Sequence, residues 1–312
     1  MIQAGSTILA SDFVSTSSGA TDSGKVAILD SNGKIPSGFL RFGGDGSDGA
    51  LTVSSGTTTI NLGGAQVFVK NYSSISITGT GKVNFSNPHN NGTTIILKSK
   101  GDITLTSSQA PMLDASGMGV QTQATDGYGV SIFKTNKGTN ATAYNLPGNG
   151  GALPTLDLSN SVKNIIAGKY PQACVGASGG AGARAGGGGG ASVANAGSGG
   201  SNGTNTGQTG SDGTGGAGGA VLILECGGAF NFTTSGGISV AGVAGVNATG
   251  TNTGGGGGGG GGVCIILYNT LTANTGTITK SGGTAGTATA GGGAGGNGGD
   301  GYSLVAQNTE YA

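Results

Sequence analysis

Nine consecutive glycines, Gly254 to Gly262, run directly into the apolar stretch Val263, Cys264, Ile265, Ile266 and Leu267. A run without side chains supplies no ordinary core, and glycine loses more backbone entropy on folding than any other residue, so in isolation such a run is a flexible linker. A buried-type apolar run at the very next residue implies order instead. The junction recurs: GGAGGA at 215–220 leads into Val221, Leu222, Ile223 and Leu224, and GGAGGNGGDG at 292–301 leads into Tyr302, Ser303, Leu304 and Val305. Three glycine tracts feed three expected strands.

After the strand, each complete copy carries a second short alternating stretch, around Ile238 and Ile278, followed by another glycine-rich exit. Val221 to Val263 is 42 residues and Ile238 to Ile278 is 40, so the unit is about 40 residues long. Repeats of this kind read as stacked units, each too small to bury its apolar face alone.

The tracts have a finer period. Gly207, Gly210, Gly213, Gly216 and Gly219 are spaced by three, as are Ala294, Asn297 and Asp300. Three residues per turn is polyproline II geometry, which has no internal hydrogen bonds and leaves its backbone groups free to bond outward. Buried backbone groups need partners, so the spacing predicts glycine helices packed side by side, with glycine where neighbours touch and Ala, Asn, Asp or Thr where they do not. Collagen shares the period but not the composition: none of the six prolines lies beyond Pro171, and the phase slips between Gly203 and Gly207.

Glycine tracts alternating with short apolar strands, over roughly residues 176–312, resemble the glycine-rich adhesins at the tips of bacteriophage long tail fibres. That resemblance implies a rigid sandwich of polyglycine helices with variable, receptor-recognising loops at its end. Insect-type glycine-rich ice-binding proteins share the helices and keep a second class open, with Thr204, Thr206 and Thr209 as the threonine rank it would use.

Composition divides the chain. Residues 176–312 hold 48 of the 73 glycines but only six charged side chains, Arg184, Asp212, Glu225, Lys280, Asp300 and Glu310. We expect an N-terminal connector or oligomerisation segment at 1–44, a strand-rich domain at 45–175 and a glycine-rich domain at 176–312. The expected fold is all-β: a β-sandwich or β-solenoid-like region, then a polyglycine II helix bundle interleaved with short β-hairpins. In 45–175 the strand signals are Leu51/Val53, Ile60/Leu62, Val67 to Val69, Ile75/Ile77, Val83/Phe85, Ile95 to Leu97 and Ile103/Leu105, with a hairpin-like turn at Ser99 to Asp102.

The net charge is zero with no Lys/Arg block, so the electrostatic attraction that nucleic acid demands is missing. No apolar segment is long enough to span a bilayer, and the N-terminus lacks the basic flank and apolar core of a secretory signal. Cys174, Cys226 and Cys264 read as buried small hydrophobes. The segment DSGKVAILDSNGKIPSGFL at 22–40 resembles linkers that join modules in phage tail fibres, which implies a homotrimer and attachment to other fibre or tail proteins.

Catalysis finds little material. One His and two Glu nearly rule out triads and metal clusters by inventory, and only an Asp pair of glycan-depolymerase type stays open. Gly19, Gly24 and Lys25 match a phosphate-loop spacing, but Val26 stands where a magnesium-binding hydroxyl belongs. Asp45 and Asp48 read as a turn, not a calcium loop, and His89 as a turn residue. No cofactor, metal or catalytic residue is expected.

Recognition is the better supported chemistry. Tyr128, Tyr144 and Tyr170, among amides and carboxylates, suit sugar rings or, equally, sheet packing. The non-glycine interruptions offer hydroxyls and amides: Asn195, Asn202, Thr204, Asn205 and Thr206; Asn247, Thr249, Thr251 and Asn252; Thr284 and Thr287. The expectation is a phage tail-fibre or fibre-tip adhesin binding a host surface glycan or outer-membrane protein, made in the bacterial cytoplasm and carried on the virion. The alternatives are a cell-surface or extracellular fibre subunit, a glycan depolymerase and an ice-binding protein.

Overall fold

The computed structural model describes residues 42–90, 92–119, 121, 213–233, 236–251, 253–290 and 294–308, with the backbone of short strands at 13–14, 26–27 and 209–211. β1 (Phe13–Val14) and β2 (Val26–Ala27) pair in parallel. From residue 50 the chain makes repeated passes. β3 (Ala50–Val53) and β4 (Thr57–Asn61) form the first; β5 (Val67–Tyr72), β6 (Ser74–Ile77) and β7 (Lys82–Ser86) the second; β8 (Thr94–Ser99), β9 (Ile103–Leu105) and β10 (Leu113–Asp114) the third. Beyond β11 (Thr209–Ser211) come β12 (Val221–Phe232) with β13 (Ile238–Ser239), then β14 (Thr249–Thr251), β15 (Val263–Asn274) with β16 (Ile278–Thr279), and β17 (Tyr302–Gln307).

Equivalent strands of neighbouring passes pair in parallel and in register. One sheet is ordered β17-β15-β12-β9-β6-β3, with β8 joining β12 to β5, and the other is ordered β16-β13-β10-β7-β4. The described residues are all-β, with no helix. Register stacks like side chains: Phe68, Ile95, Leu222 and Cys264 form one column, and Leu97, Leu224, Ile266 and Val305 another. Both columns face Val83, Leu113 and Ile238 of the opposite sheet in the main core. The alternate residues Ile96, Val221, Ile223, Val263 and Ile265 form a second buried cluster on the other face. A parallel strand buried on both faces has no polar alternation to show. That is why 221–224 and 263–267 are continuously apolar.

Among the described residues the expected hairpins are not present. Val221 to Cys226 pair in parallel with Thr94 to Ser99, and Phe230 to Phe232 with Ile103 to Leu105, so β8 and β9 lie in line along one side of β12. Ser99 to Asp102 is therefore a kink between two segments of one pass. Gly227 and Gly228 sit opposite it, where the register of β12 slips and the Gly228 amide donates to the Gly101 carbonyl at 3.1 Å. The strands after the glycine tracts likewise pair in parallel, β12 with β15 and β15 with β17. The apolar runs of β12 and β15 are covered on both faces, the setting in which parallel strands are usual. The expected boundary near 175 lies outside the described residues, but β8 and β12, from either side of it, are direct neighbours.

The sheets continue into glycine. Tracts 213–220, 254–262 and 294–301 lead into β12, β15 and β17 and lie side by side in one layer. Tracts 240–248 and 280–289 leave β13 and β16 and form a second layer running the opposite way. Within layers, the amides of Gly213, Gly216 and Gly219 donate to the carbonyls of Gly254, Gly257 and Gly260, those of Gly258 and Gly261 to Gly296 and Gly299, and those of Gly242, Gly245 and Ala248 to Ser281, Thr284 and Thr287. Between layers, Gly256, Gly259 and Gly262 donate to Val246, Val243 and Val240, and Gly295, Gly298 and Gly301 to Gly286, Gly283 and Lys280. All of these bonds are 2.7–3.0 Å long and recur at every third residue.

The nine-glycine run lies in the middle, bordered by 213–220 and 294–301 in its own layer and by both tracts of the other, and each of its residues is buried. A methyl group on Gly256 or Gly259 would overlap the carbonyl oxygen of Thr214 or Ala217, and one on Gly258 or Gly261 that of Gly283 or Lys280. Facing sheets stand about 10 Å apart with side chains between them; here the two layers bond backbone to backbone. Only glycine allows that approach.

Candidate functional site

The tracts of the second layer end at 248 and 289, away from the ends that join β13 and β16, and the tracts from 254 and 294 run in the opposite direction. β14 follows the first of these ends and pairs antiparallel with β11, Thr209 opposite Thr251 and Ser211 opposite Thr249, with Gly250 at φ 91° between the threonines. Thr249 and Thr251 are exposed. The tip is fastened from below by Thr253, which is fully buried. Its hydroxyl donates to the Thr249 carbonyl at 3.0 Å, its amide donates to Thr289 Oγ1 at 3.0 Å, and the two hydroxyl oxygens lie 2.7 Å apart. The Thr289 amide returns a bond to the Thr253 carbonyl at 3.1 Å.

Of the residues expected to bind a receptor, the structure gathers Asn247, Thr249, Thr251 and Thr287 at this end. Asn247 Oδ1 is already engaged, accepting the Thr287 amide at 2.9 Å. Thr284 and Thr287 differ from expectation in setting: they belong to a tract, not a loop, and their carbonyls accept from Gly245 and Ala248 while their side chains are exposed. Asn195, Asn202, Thr204, Asn205, Thr206, Asn252, Tyr128, Tyr144 and Tyr170 lie outside the described residues. Thr253 and Thr289 fall within the expected recognition loops Asn247 to Thr253 and Thr284 to Ala290, but neither is among the individual residues expected to bind. The described tip residues, 246–251, 253 and 286–290, include no charged or aromatic side chain. They offer hydroxyl and amide groups beside the exposed apolar Val246.

Asp45, Asp48 and His89 have structural work. Asp45 Oδ1 accepts the Ser47 amide at 3.0 Å, as a turn residue does. Asp48 accepts from Lys70 Nζ at 2.6 Å and from the Asn71 amide at 2.7 Å, and the Lys70 hydrogen bond, then that of Asn71, holds its carboxyl below the usual range. His89 lies in a turn closed by its own amide donating to Thr93 Oγ1 at 2.9 Å. Burial pushes the Cys226 thiol up to about 11 and the Cys264 thiol up to about 12, so both behave as small core residues. Cys174 and Gly19 to Lys25 lie outside the described residues. Among the described residues no group of His, Cys, Asp and Glu is arranged to hold a metal ion.

Comparison with protein-family models, curated proteins and solved structures returns no match for this chain. The class that the described residues define is all-β, built mainly on parallel sheets.

Proposed function

We propose that the chain is a phage tail-fibre or fibre-tip adhesin that recognises a host cell-surface glycan or protein through the tip described above. In this reading the tracts are polyglycine II helices, the passes form a β-solenoid, and the 1–44 segment joins the molecule, as a homotrimer, to other fibre or tail proteins. The observation that carries the reading is the attachment of an exposed Thr249–Thr251 turn to an array of backbone hydrogen bonds repeating every three residues. Such an array has few soft torsions once bonded, so residues at its end are held before contact, and preorganised groups lose less entropy on binding. Exposed hydroxyls and amides without charge suit neutral sugars or polar protein loops.

The test is fluorescent labelling of a panel of bacterial strains with the purified full chain, with light scattering on a sizing column for its mass. Saturable labelling of some strains, competed by their isolated surface polysaccharide or outer-membrane fraction, supports the reading. An open-ended polymer that labels no strain would instead favour a structural filament.

A further inference from the structure

Among the described residues the second layer ends at tract 280–289, and side chains of the last tract meet two amides of its edge. One pass earlier, Gly242 and Gly245 donate their amides sideways to the carbonyls of Ser281 and Thr284. The pairing of Ile238 with Ile278 makes Gly282 and Ala285 their equivalents one pass on. These two amides do not await a further tract: Gly282 donates to Asp300 Oδ1 at 3.0 Å and Ala285 to Asn297 Oδ1 at 2.8 Å. The first layer shows where the acceptors come from. Pairing of Val263 with Tyr302, and of Val221 with Val263, makes Asn297 and Asp300 the equivalents of Gly258 and Gly261 and, a pass earlier, of Gly216 and Gly219. All four are glycines whose amides bond the next tract, and side chains on Gly258 and Gly261 would strike the second-layer carbonyls of Gly283 and Lys280. Asn297 and Asp300 thus place side chains where the next second-layer tract would lie.

We infer that Asn297 and Asp300 terminate the second layer of the glycine array: they take the place of a further tract, accept from Gly282 and Ala285, and keep this edge from pairing with a tract of a second copy. An unpaired backbone edge is a template for association, and polar side chains over it are a known form of protection. The inference does not depend on the adhesin reading. It is tested with the full chain carrying N297G/D300G, which removes both acceptors and clears their space. The swapped variant N297D/D300N keeps both acceptors. The expected result is concentration-dependent association of the glycine variant, to at least about twice the wild-type mass by light scattering, with wild-type circular dichroism and reversal on dilution, while the swapped variant keeps the wild-type mass. Should the double glycine variant lose the wild-type circular dichroism, N297G alone decides by the same readout. A folded glycine variant that keeps the wild-type mass at every concentration, or a swapped variant that associates as strongly, overturns the inference.

Discussion

Lys98 and Glu225 stand directly opposite one another on β8 and β12, with Nζ 2.9 Å from Oε2, and both side chains are largely buried. They are 127 residues apart in the chain, so this ion pair ties the early passes to the glycine-rich ones. Glu225→Gln removes the charge from a site where the lysine has little water to fall back on. We expect a loss of about 3 kcal/mol in urea unfolding. The apolar pair Lys98→Met with Glu225→Leu should recover most of it.

The glycine array is intolerant of side chains at its centre and tolerant at its face. Gly259→Ala forces a methyl against the Ala217 carbonyl and is expected to cost about 3 kcal/mol or to prevent folding. Thr284→Ala, on an exposed row of the neighbouring tract, should stay within about 0.5 kcal/mol of wild type. Thermal melts of the two variants provide the comparison.

Thr253→Val keeps the shape of a buried side chain but removes its bond to the Thr249 carbonyl and its contact with Thr289 Oγ1. A loss of about 1–2 kcal/mol is expected. Amide hydrogen exchange at Thr251 and Thr289 should accelerate, while exchange in β15 stays slow.

The buried thiols should be silent. Because burial raises both, neither Cys226 nor Cys264 is expected to alkylate in the folded protein at pH 8, and peptide mapping after urea should show both modified. The sign follows from linkage. Folded thiols near 11 and 12 hold protons that unfolded thiols release from about 9, so stability is intact below that pH and falls as pH rises through the interval.

Much of the fold was legible locally. Apolar stretches at Val67, Ile75, Val83, Ile95, Val221 and Val263 all became strands, and the spacing of Gly213, Gly216 and Gly219 matches the residues that donate to the next tract. Pairing partners were not legible, because an apolar run records that a strand is buried and not which strand covers it. For that reason the Ser99 to Asp102 turn read as a hairpin, while its two flanking segments lie in line against β12. The Thr253–Thr289 lock escaped for the same reason, since it depends on two passes bringing residues 36 apart into contact. Asn297 and Asp300 were visible as a period of three, but their role needed Gly282 and Ala285 beside them.

The most direct measurement is cell labelling by tip variants. On strains that bind the wild-type chain, Thr249→Tyr with Thr251→Tyr changes only the exposed end of the array and should abolish saturable labelling. Val67→Thr with Val69→Thr, on exposed positions of β5, should label as wild type does. Equal labelling by the tyrosine variant, with its fold intact by circular dichroism, would contradict recognition through this tip.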